Sequence, residues 1–413
     1  MKGRHYMGLI HINELQPGMV LEDEVKDLSG RLLLGKGKKI QPEHFRVFKI
    51  WGVTEVKVLG NNGSKKETIL NLDPEQIEKI KNDTLPIFSH NDLEHPAIKE
   101  IFRLSVLFRH EYKPFNEHSN IESTENNSTE NLIEKKCIKK ITDKNLKLPE
   151  VPSIVFDLNE IIADPISSAD DIAKVVQKSP SLTAILLKFA NSPFYGFSSQ
   201  IDKISLAVTL IGTREISGLA LGLSILSTFD KIPKELIDMF SFLRHSVACG
   251  IISRILATHK GLSQTEHFFV SGLLHDLGRL IFYCNYPEDS RSILSLSRTT
   301  NNLLYKVESD YFNCNHSQVA KRLIQQWKLP LSLENNIVYH HNPFEAQQSI
   351  PATLVHLADI FTNGLGIGTS GERFVPPLDT KAWNALNLSP TCFDNVIRQA
   401  THQFFALESM FEN

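Results

Sequence analysis

Cysteine is scarce in this sequence and forms no motif. The 413 residues contain five scattered cysteines and no Cys-x-x-Cys pair. From this pattern we expect neither a disulfide framework nor a cysteine-rich zinc knuckle. We interpret the cysteines as small apolar residues in a reducing compartment.

Long apolar runs and an excess of positive charge are also missing. No stretch of ~18 apolar residues occurs, so no membrane span is expected. Residues 1–10 lack the apolar core of a signal peptide, which makes the cytoplasm the predicted location. A net charge of −3 does not provide the positive electrostatic potential that would attract the phosphate backbone of a nucleic acid. General nucleic-acid binding, including that of an RNA-binding regulator, is therefore disfavoured.

The first 147 residues divide into two parts. Residues 9–60 predict a small α/β module, and residues 61–147 a connector. The module's expected elements are strands at 10–12, 18–21 and 31–34, a helix from Pro42 to Gly52 and a strand at 53–59. Within the connector, helices are expected at 73–82 and 96–110, and a flexible polar linker at 117–130.

From Leu148 onward helical periodicity dominates and strand patterns nearly vanish. The predicted fold class is mainly α, with an all-α bundle following the small N-terminal α/β module. We expect a helical bundle at 148–230, a second bundle at 231–363 and a helical extension at 364–413. The helices predicted in the second half include 234–258, 266–284, 316–327, 331–340 and 351–363.

Seven polar residues fall within or beside the apolar stripes of these helices. They are His245, His275, Asp276, His316, His340, His341 and Asp359. A buried imidazole or carboxylate costs free energy unless it has a partner, and one shared metal site would satisfy several together. Imidazoles and carboxylates suit iron, manganese or zinc, so one or two divalent ions are expected.

Each of these residues also has an ordinary structural explanation. A single histidine on an apolar face is usually a core residue bonded to a backbone carbonyl. Asp276 alone is typical of a helix cap, and the pair His340-His341 is typical of a helix C-terminus. Their joint occurrence on five predicted helices is what favours the metal site.

The sequence SGLLHDLGR at 271–279 resembles the signature of the HD superfamily, whose metal-dependent phosphohydrolases use an adjacent His-Asp pair. Motifs at 148–152, 190–196 and 210–212 resemble the HDOD branch of that superfamily, and the resemblance runs from 148 to 363. It implies an HDOD/HD-type helical bundle. Residues 9–60 resemble a module that precedes some HD-GYP phosphodiesterases, through the short motifs at 15–19 and 34–37.

HD-GYP enzymes cleave cyclic di-GMP at a site of two or three metals, and all seven residues match their ligand positions. The resemblance implies a first metal on His245, His275, Asp276 and Asp359. It implies a second on Asp276, His316, His340 and His341, about 3.5–4 Å away, with Asp276 bridging.

Three positions depart from the HD-GYP pattern. Asn-Pro-Phe-Glu at 342–345 stands where those enzymes carry a Gly-Tyr-Pro loop that helps to hold the substrate. Ser241 stands where trinuclear members place a glutamate. Arg279 stands where the enzymes usually have a lysine near the phosphate, although a guanidinium can also bind phosphate.

These features support two hypotheses. HDOD domains are generally regarded as signalling or scaffold domains, and the missing loop favours such a non-catalytic module. The alternative is a metal-dependent phosphohydrolase acting on a cyclic dinucleotide or another phosphodiester, with Asp276 and Arg279 as catalytic residues. The expected partner is a signalling protein or a small nucleotide, and a homodimer is among the allowed states. The aromatic turn at 191–196 either contacts that partner or packs inward.

Overall fold

The structure is a computed structural model of the 413-residue chain. It describes residues 8–11, 15–26, 32–50, 53, 55–59, 74–112, 141, 146–164, 166–192, 195, 197, 199–229 and 232–408. The polar linker predicted at 117–130 lies outside the described residues.

The N-terminal module contains four short strands and one helix. They are β1 Gly8–His11, β2 Val25–Lys26, β3 Leu32–Leu34, α1 Pro42–Ile50 and β4 Glu55–Val58. Strand β1 pairs antiparallel with β4, and β2 pairs antiparallel with β3. Leu21, Ile40 and Phe48 lie in a core of the module's own.

The prediction of a strand at 18–21 is wrong, because Val20 and Leu21 form only isolated β-bridges. Val20 bridges Lys39 while Leu21 bridges Val58, so neighbouring residues pair with different parts of the module and no continuous ladder develops. The short strand β2 was not predicted.

Helices dominate the rest of the described chain, which confirms the predicted fold class. They are α2 Pro74–Thr84, α3 Pro96–Glu111, α4 Ser153–Ala163, α5 Ala169–Gln177, α6 Pro180–Ala190, α7 Ile204–Ile211, α8 Thr213–Leu226, α9 Met239–His259, α10 Glu266–Leu274, α11 Leu277–Asn285, α12 Pro287–Thr299, α13 Leu304–Phe312, α14 His316–Gln326, α15 Leu331–Val338, α16 Ser349–Leu365, α17 Thr380–Leu386 and α18 Phe393–Glu408. Short 3-10 helices lie between these α-helices, at Leu85–Phe88, Ser227–Phe229, Pro343–Glu345 and Pro390–Cys392.

Of the two helices predicted within the connector, α2 packs against α3, and α3 packs against the C-terminal half of the chain. Helix α3 contacts α16 and α18. The guanidinium of Arg109 on α3 donates to the carbonyl of Gly364 at the end of α16, at 2.9 Å. Because this cation satisfies a carbonyl that the helix end leaves unbonded, α3 stabilises the end of α16.

Close helix packing in the second bundle depends on two glycines of the 271–279 motif. A Cβ on Gly272 would lie 2.7 Å from the carbonyl oxygen of Cys249 on α9. A Cβ on Gly278 would lie 1.9 Å from the carbonyl oxygen of His316 on α14. Helices α9 and α10, and likewise α11 and α14, therefore approach to a distance that only glycine allows.

The continuous helix predicted at 266–284 is wrong. The structure breaks it between α10 and α11 at Asp276, whose φ of −96° and ψ of 12° lie outside the helical range. In a continuous helix, adjacent residues point about 100° apart around the axis. The break allows His275 and Asp276 to face the same site.

Helix α9 is long and apolar enough to cross a bilayer by length and composition. However, 67% of its apolar window is buried inside the protein. Such burial is typical of the central helix of a globular bundle, and α9 also carries His245.

Candidate metal centre

The structure brings all seven predicted residues into one buried cluster. His245 lies on α9, His275 and Asp276 at the α10–α11 break, His316 at the start of α14, His340 and His341 just after α15, and Asp359 on α16. Every side chain in the set is at most 8% exposed. The cluster therefore lies in the interior, where polar atoms need partners.

The seven residues form two groups that share Asp276. The first group contains His245, His275, Asp276 and Asp359, and the second contains Asp276, His316, His340 and His341. Within each group, the candidate ligand atoms lie within 4.8 Å of one another. Both groups match the memberships implied by the HD-GYP resemblance.

Asp276 offers a different oxygen to each group. Its Oδ2 lies 3.1 Å from Nε2 of His275, in the first group. Its Oδ1 lies 3.1 Å from Nε2 of His316, in the second group. This is the geometry of a carboxylate able to bridge two metal ions.

Three of the histidine rings are oriented by hydrogen bonds on their far side. Nδ1 of His275 lies 2.7 Å from the carbonyl oxygen of Gly272, and Nδ1 of His340 lies 2.7 Å from that of Ile337. Because a carbonyl can only accept, both Nδ1 atoms carry the proton. In a neutral ring this leaves Nε2 as a bare lone pair that points into the cluster.

The third oriented ring belongs to His316. Its Nδ1 lies 2.6 Å from Oε2 of Glu308, a carboxylate buried behind it. Its Nε2 faces Nε2 of His340 at 3.4 Å and Nε2 of His341 at 3.2 Å. Nitrogen lone pairs at these separations repel unless a proton or a metal ion lies between them.

The pKa directions separate the imidazoles that stay neutral from those that attract protons. Burial, together with His275 and His316, lowers the pKa of His340 to about 3. Burial and the neighbouring His340 hold the pKa of His341 well below its usual range. Burial opposes protonation of His275, but Asp276 outweighs it and raises the pKa of His275 well above its ordinary value. The cluster thus attracts positive charge.

Both aspartates are held in the ionised form. Burial alone would raise the pKa of Asp276, but Arg279 and His275 hold it well below its usual range. The pKa of Asp359 is likewise low despite burial, because His245 and His275 hydrogen-bond to it. Ionised carboxylates and imidazoles are the donor set that divalent transition metals prefer, and a bound ion would displace the proton that His275 attracts, so the residues fit such ions.

Arg279 lies behind the cluster and is 1% exposed. Its Nη1 donates to Oδ2 of Asp276 at 3.0 Å and to the hydroxyl of Ser370. Its Nε lies 3.4 Å from Glu308, and its Nη2 lies 3.8 Å from Glu372. Three carboxylates therefore surround the buried guanidinium, and this geometry does not favour the predicted contact with a phosphate.

The sequence interpretation missed two buried glutamates behind the cluster. Glu308 lies on the same face of α13 as Leu304 and Phe312, four residues from each. That placement of a charge on an apolar stripe is the signal used for the histidines, and it could have identified Glu308 too. Glu372 lies in the loop after α16, where no periodicity marks it. Burial raises the pKa of Glu372 to about 7.

The aromatic turn at 191–196 is described in part, since 193, 194 and 196 lie outside the described residues. The Tyr195 hydroxyl donates to Oε1 of Glu215 at 3.1 Å, and Glu215 also pairs with Arg254 on α9. Burial raises the pKa of Tyr195 well above its ordinary value. This tyrosine therefore packs inward and connects the first bundle to the helix that carries His245.

The segment after His341 forms the 3-10 helix Pro343–Glu345, in which the Phe344 ring is 52% exposed. Ser241 lies in the first turn of α9, where its backbone N–H donates to the side chain of Asp238. Both positions thus keep ordinary structural roles where the HD-GYP pattern has substrate and metal contacts.

Comparisons with known proteins place six of the seven cluster residues within a recognised domain, and Asp359 lies beyond the matched segment. Residues 148–343 match the HDOD domain family. An uncharacterised protein of Treponema pallidum (strain Nichols) is 26% identical over 206 residues, which are 49% of this chain and 39% of that protein. The matched segment thus spans less than half the length of this curated relative.

Solved structures share the fold at low sequence identity. An HDOD domain protein of Geobacter sulfurreducens gives a TM-score of 0.56 at 22% identity, covering 64% of this chain and 93% of its own. A protein of Marinobacter aquaeolei VT8, provisionally named a signal transduction protein, gives 0.55 at 21% identity and covers 69% and 65%. A protein of Shewanella amazonensis SB2B, provisionally named a metal-dependent phosphohydrolase, gives 0.50 at 18% identity and covers 65% and 94%.

Proposed function

This chain is an HDOD domain protein of the HD superfamily, and we propose that its domain is a signal-transduction module built around two buried metal ions. The first ion is held by His245, His275, Asp276 and Asp359. The second is held by Asp276, His316, His340 and His341. Asp276 is common to both groups and would contact both ions.

The convergence of acceptor atoms carries this proposal. Oriented Nε2 lone pairs and ionised carboxylate oxygens lie within 4.8 Å of one another in each group. Burying so many hydrogen-bond acceptors close together costs free energy unless cations balance their negative charge. Two divalent ions would satisfy both groups at once, and iron, manganese and zinc all suit this donor set.

Burial of the ligands supports a non-catalytic role. The most accessible of the seven residues, His341, is 8% exposed, and Asp359 is 3% exposed. A hydrolytic metal needs an open position that water and substrate can reach. A closed metal site instead stabilises the fold, and a folded bundle that depends on a metal can act as a scaffold or as a metal-dependent switch.

A metal-dependent phosphohydrolase is the second candidate. The bridging geometry of Asp276 favours it, because two metals on one carboxylate are a common arrangement in phosphoester hydrolysis. Bound metals would supply Lewis acidity to a phosphodiester such as a cyclic dinucleotide. In this case the ligands must become accessible before a substrate can bind.

The proposal also covers the cellular location of this chain and the kind of partner that it binds. Cys249 and Cys314 are buried residues that form no disulfide, which supports a reducing compartment such as the cytoplasm. The partner we propose is a signalling protein or a small nucleotide, and a homodimer is compatible with this role. The provisional name of the Marinobacter protein supports the signalling role.

Metal analysis of the purified full-length chain tests the proposal. We expect two transition ions per chain, because the two groups share one ligand and otherwise differ. Asp276→Asn should lose both ions, His245→Ala the first and His341→Ala the second. His267→Ala removes a histidine of α10 outside the set and should keep both ions.

Two results would contradict the metal centre. One is a folded wild-type protein that takes up no added iron, manganese or zinc. The other is an Asp276→Asn variant with unchanged metal content. Hydrolysis of cyclic di-GMP or a generic phosphodiester, dependent on metal and abolished in Asp276→Asn, would replace the signalling module with the phosphohydrolase.

A further inference from the structure

Four charged or polar side chains form a closed ring, and two of them, Asp276 and His316, belong to the second metal group. Starting from Oδ1 of Asp276, the ring passes 3.1 Å to Nε2 of His316. It continues 2.6 Å from Nδ1 of His316 to Oε2 of Glu308. Oε1 of Glu308 lies 3.4 Å from Nε of Arg279. Nη1 of Arg279 donates to Oδ2 of Asp276 at 3.0 Å, and this hydrogen bond closes the ring.

Glu308 contacts His316 twice. Its Oε2 accepts from the ring Nδ1 and also from the backbone N–H of the same residue, at 2.9 Å. Both the side chain and the start of α14 are thus fixed by one carboxylate oxygen. Glu308 is 1% exposed, so water does not compete for these bonds.

The loop after α16 holds this ring from its other side. Ser370 accepts from Arg279, and Glu372 accepts from the backbone N–H of Leu304 at 2.8 Å. Leu304 is the first residue of α13, the helix that carries Glu308. Residues beyond the matched 148–343 segment therefore set the positions of both Arg279 and Glu308.

We propose that Glu308 is a positioning residue for the second metal. It fixes the Nδ1–H tautomer of His316, so that the Nε2 lone pair faces the metal, and it makes that nitrogen a stronger donor. Arg279 completes the arrangement by holding both Glu308 and the bridging Asp276. This inference rests on the proposed metal centre and assigns to Arg279 an internal role in place of a phosphate contact.

The geometry also explains why an arginine suits this position. Its planar fork reaches Asp276 through Nη1 and Glu308 through Nε at the same time. A lysine would present one point charge and could not span both carboxylates. Partners of this kind behind metal-binding histidines commonly contribute 10–100-fold to metal affinity.

Glu308→Gln is the most informative variant, because it keeps the size of the side chain. A glutamine oxygen can accept from His316, but its amide group would then point its own protons at Arg279. We expect the second ion to bind about 10–100-fold more weakly, while the first ion binds unchanged. Glu78→Gln, which removes an exposed carboxylate on α2, is the matched control and should change neither affinity.

The experiment titrates metal-free full-length protein with Zn²⁺ by calorimetry and counts bound ions by elemental analysis. Wild type should bind two ions, and Glu308→Gln should show a selective loss at the second. A variant that binds both ions as wild type does would overturn the role of Glu308. A wild type that binds no ion would instead contradict the proposed function itself.

A second measurement uses the wild-type chain, in case the variant does not fold. Nitrogen-15 NMR of the histidine rings in metal-free protein should show His316 protonated at Nδ1, with the low-field proton of a short bond to a carboxylate. His316→Ala assigns the signal by its loss. A His316 ring protonated only at Nε2 would refute the positioning role.

Discussion

Gly278→Ala tests the close approach of α11 to α14, on which the second metal group depends. The added Cβ would lie 1.9 Å from the carbonyl oxygen of His316, whereas a normal carbon–oxygen contact is about 3.3 Å. The helices must therefore separate by about 1.4 Å, the difference between these distances. Because the obstacle is backbone, no side-chain rotation can relieve the contact.

The expected cost lies at the upper end of the range for overpacking, about 3 kcal/mol. For a helical domain of this size, that loss lowers the melting temperature by roughly 6–12 °C. The displaced residue is itself a ligand, so we also expect the number of bound ions to fall from two towards one. Thermal unfolding followed by circular dichroism, together with elemental analysis, measures both effects.

Gly222→Ala provides the matched control within the same domain. Its new Cβ would meet the Leu273 side chain at 2.7 Å, and the nearest atom is the mobile Cδ2 end of that chain. Rotation of Leu273 and the better helix propensity of alanine, worth about 1 kcal/mol, should largely cancel the cost. If Gly278→Ala melted as the wild type does and kept both ions, the described approach of the two helices would be incorrect.

Three further results are expected. Chelation of the metals should lower the melting temperature, because an ion present at 100 times its Kd stabilises the folded state by about 2.7 kcal/mol. Adding Zn²⁺ back should restore the melting temperature. A melting temperature that chelation leaves unchanged would argue against a resident metal. Arg279→Met should cost about 3–5 kcal/mol in urea unfolding, since it leaves Glu308 and Glu372 buried without their cation, and a neutral effect would show that the ring is dispensable. Arg254→Met should cost less, about 1–3 kcal/mol, because the Arg254 side chain is 23% exposed; a cost equal to that of Arg279→Met would contradict this ranking.

The candidate ligands could be predicted from the sequence because their signal is local. His316 and Asp359 interrupt apolar helical stripes, and a polar residue on such a stripe needs a partner. The match of all seven residues to the ligand positions of HD-GYP enzymes then suggested how they divide into two groups. The all-α fold class followed from the same periodicity.

What the sequence could not provide depends on contacts between distant residues. Arg279 matched a position associated with phosphate, yet its surroundings are Asp276, Glu308 and Glu372, which are brought together by three separate segments. The break at Asp276 could not be predicted because neither glycine nor proline occupies 275 to 277. The role of Glu372 depends on the path of the loop after α16, which carries no periodic pattern.

The central claim is that Asp276 bridges two metal ions inside this HDOD domain. Anomalous diffraction from crystals of the metal-loaded full-length protein tests it most directly. We predict two peaks about 3.5–4 Å apart, one beside His245 and Asp359 and the other beside His316 and His341. A map with no peak among these residues, in protein loaded with iron, manganese or zinc, would contradict the account.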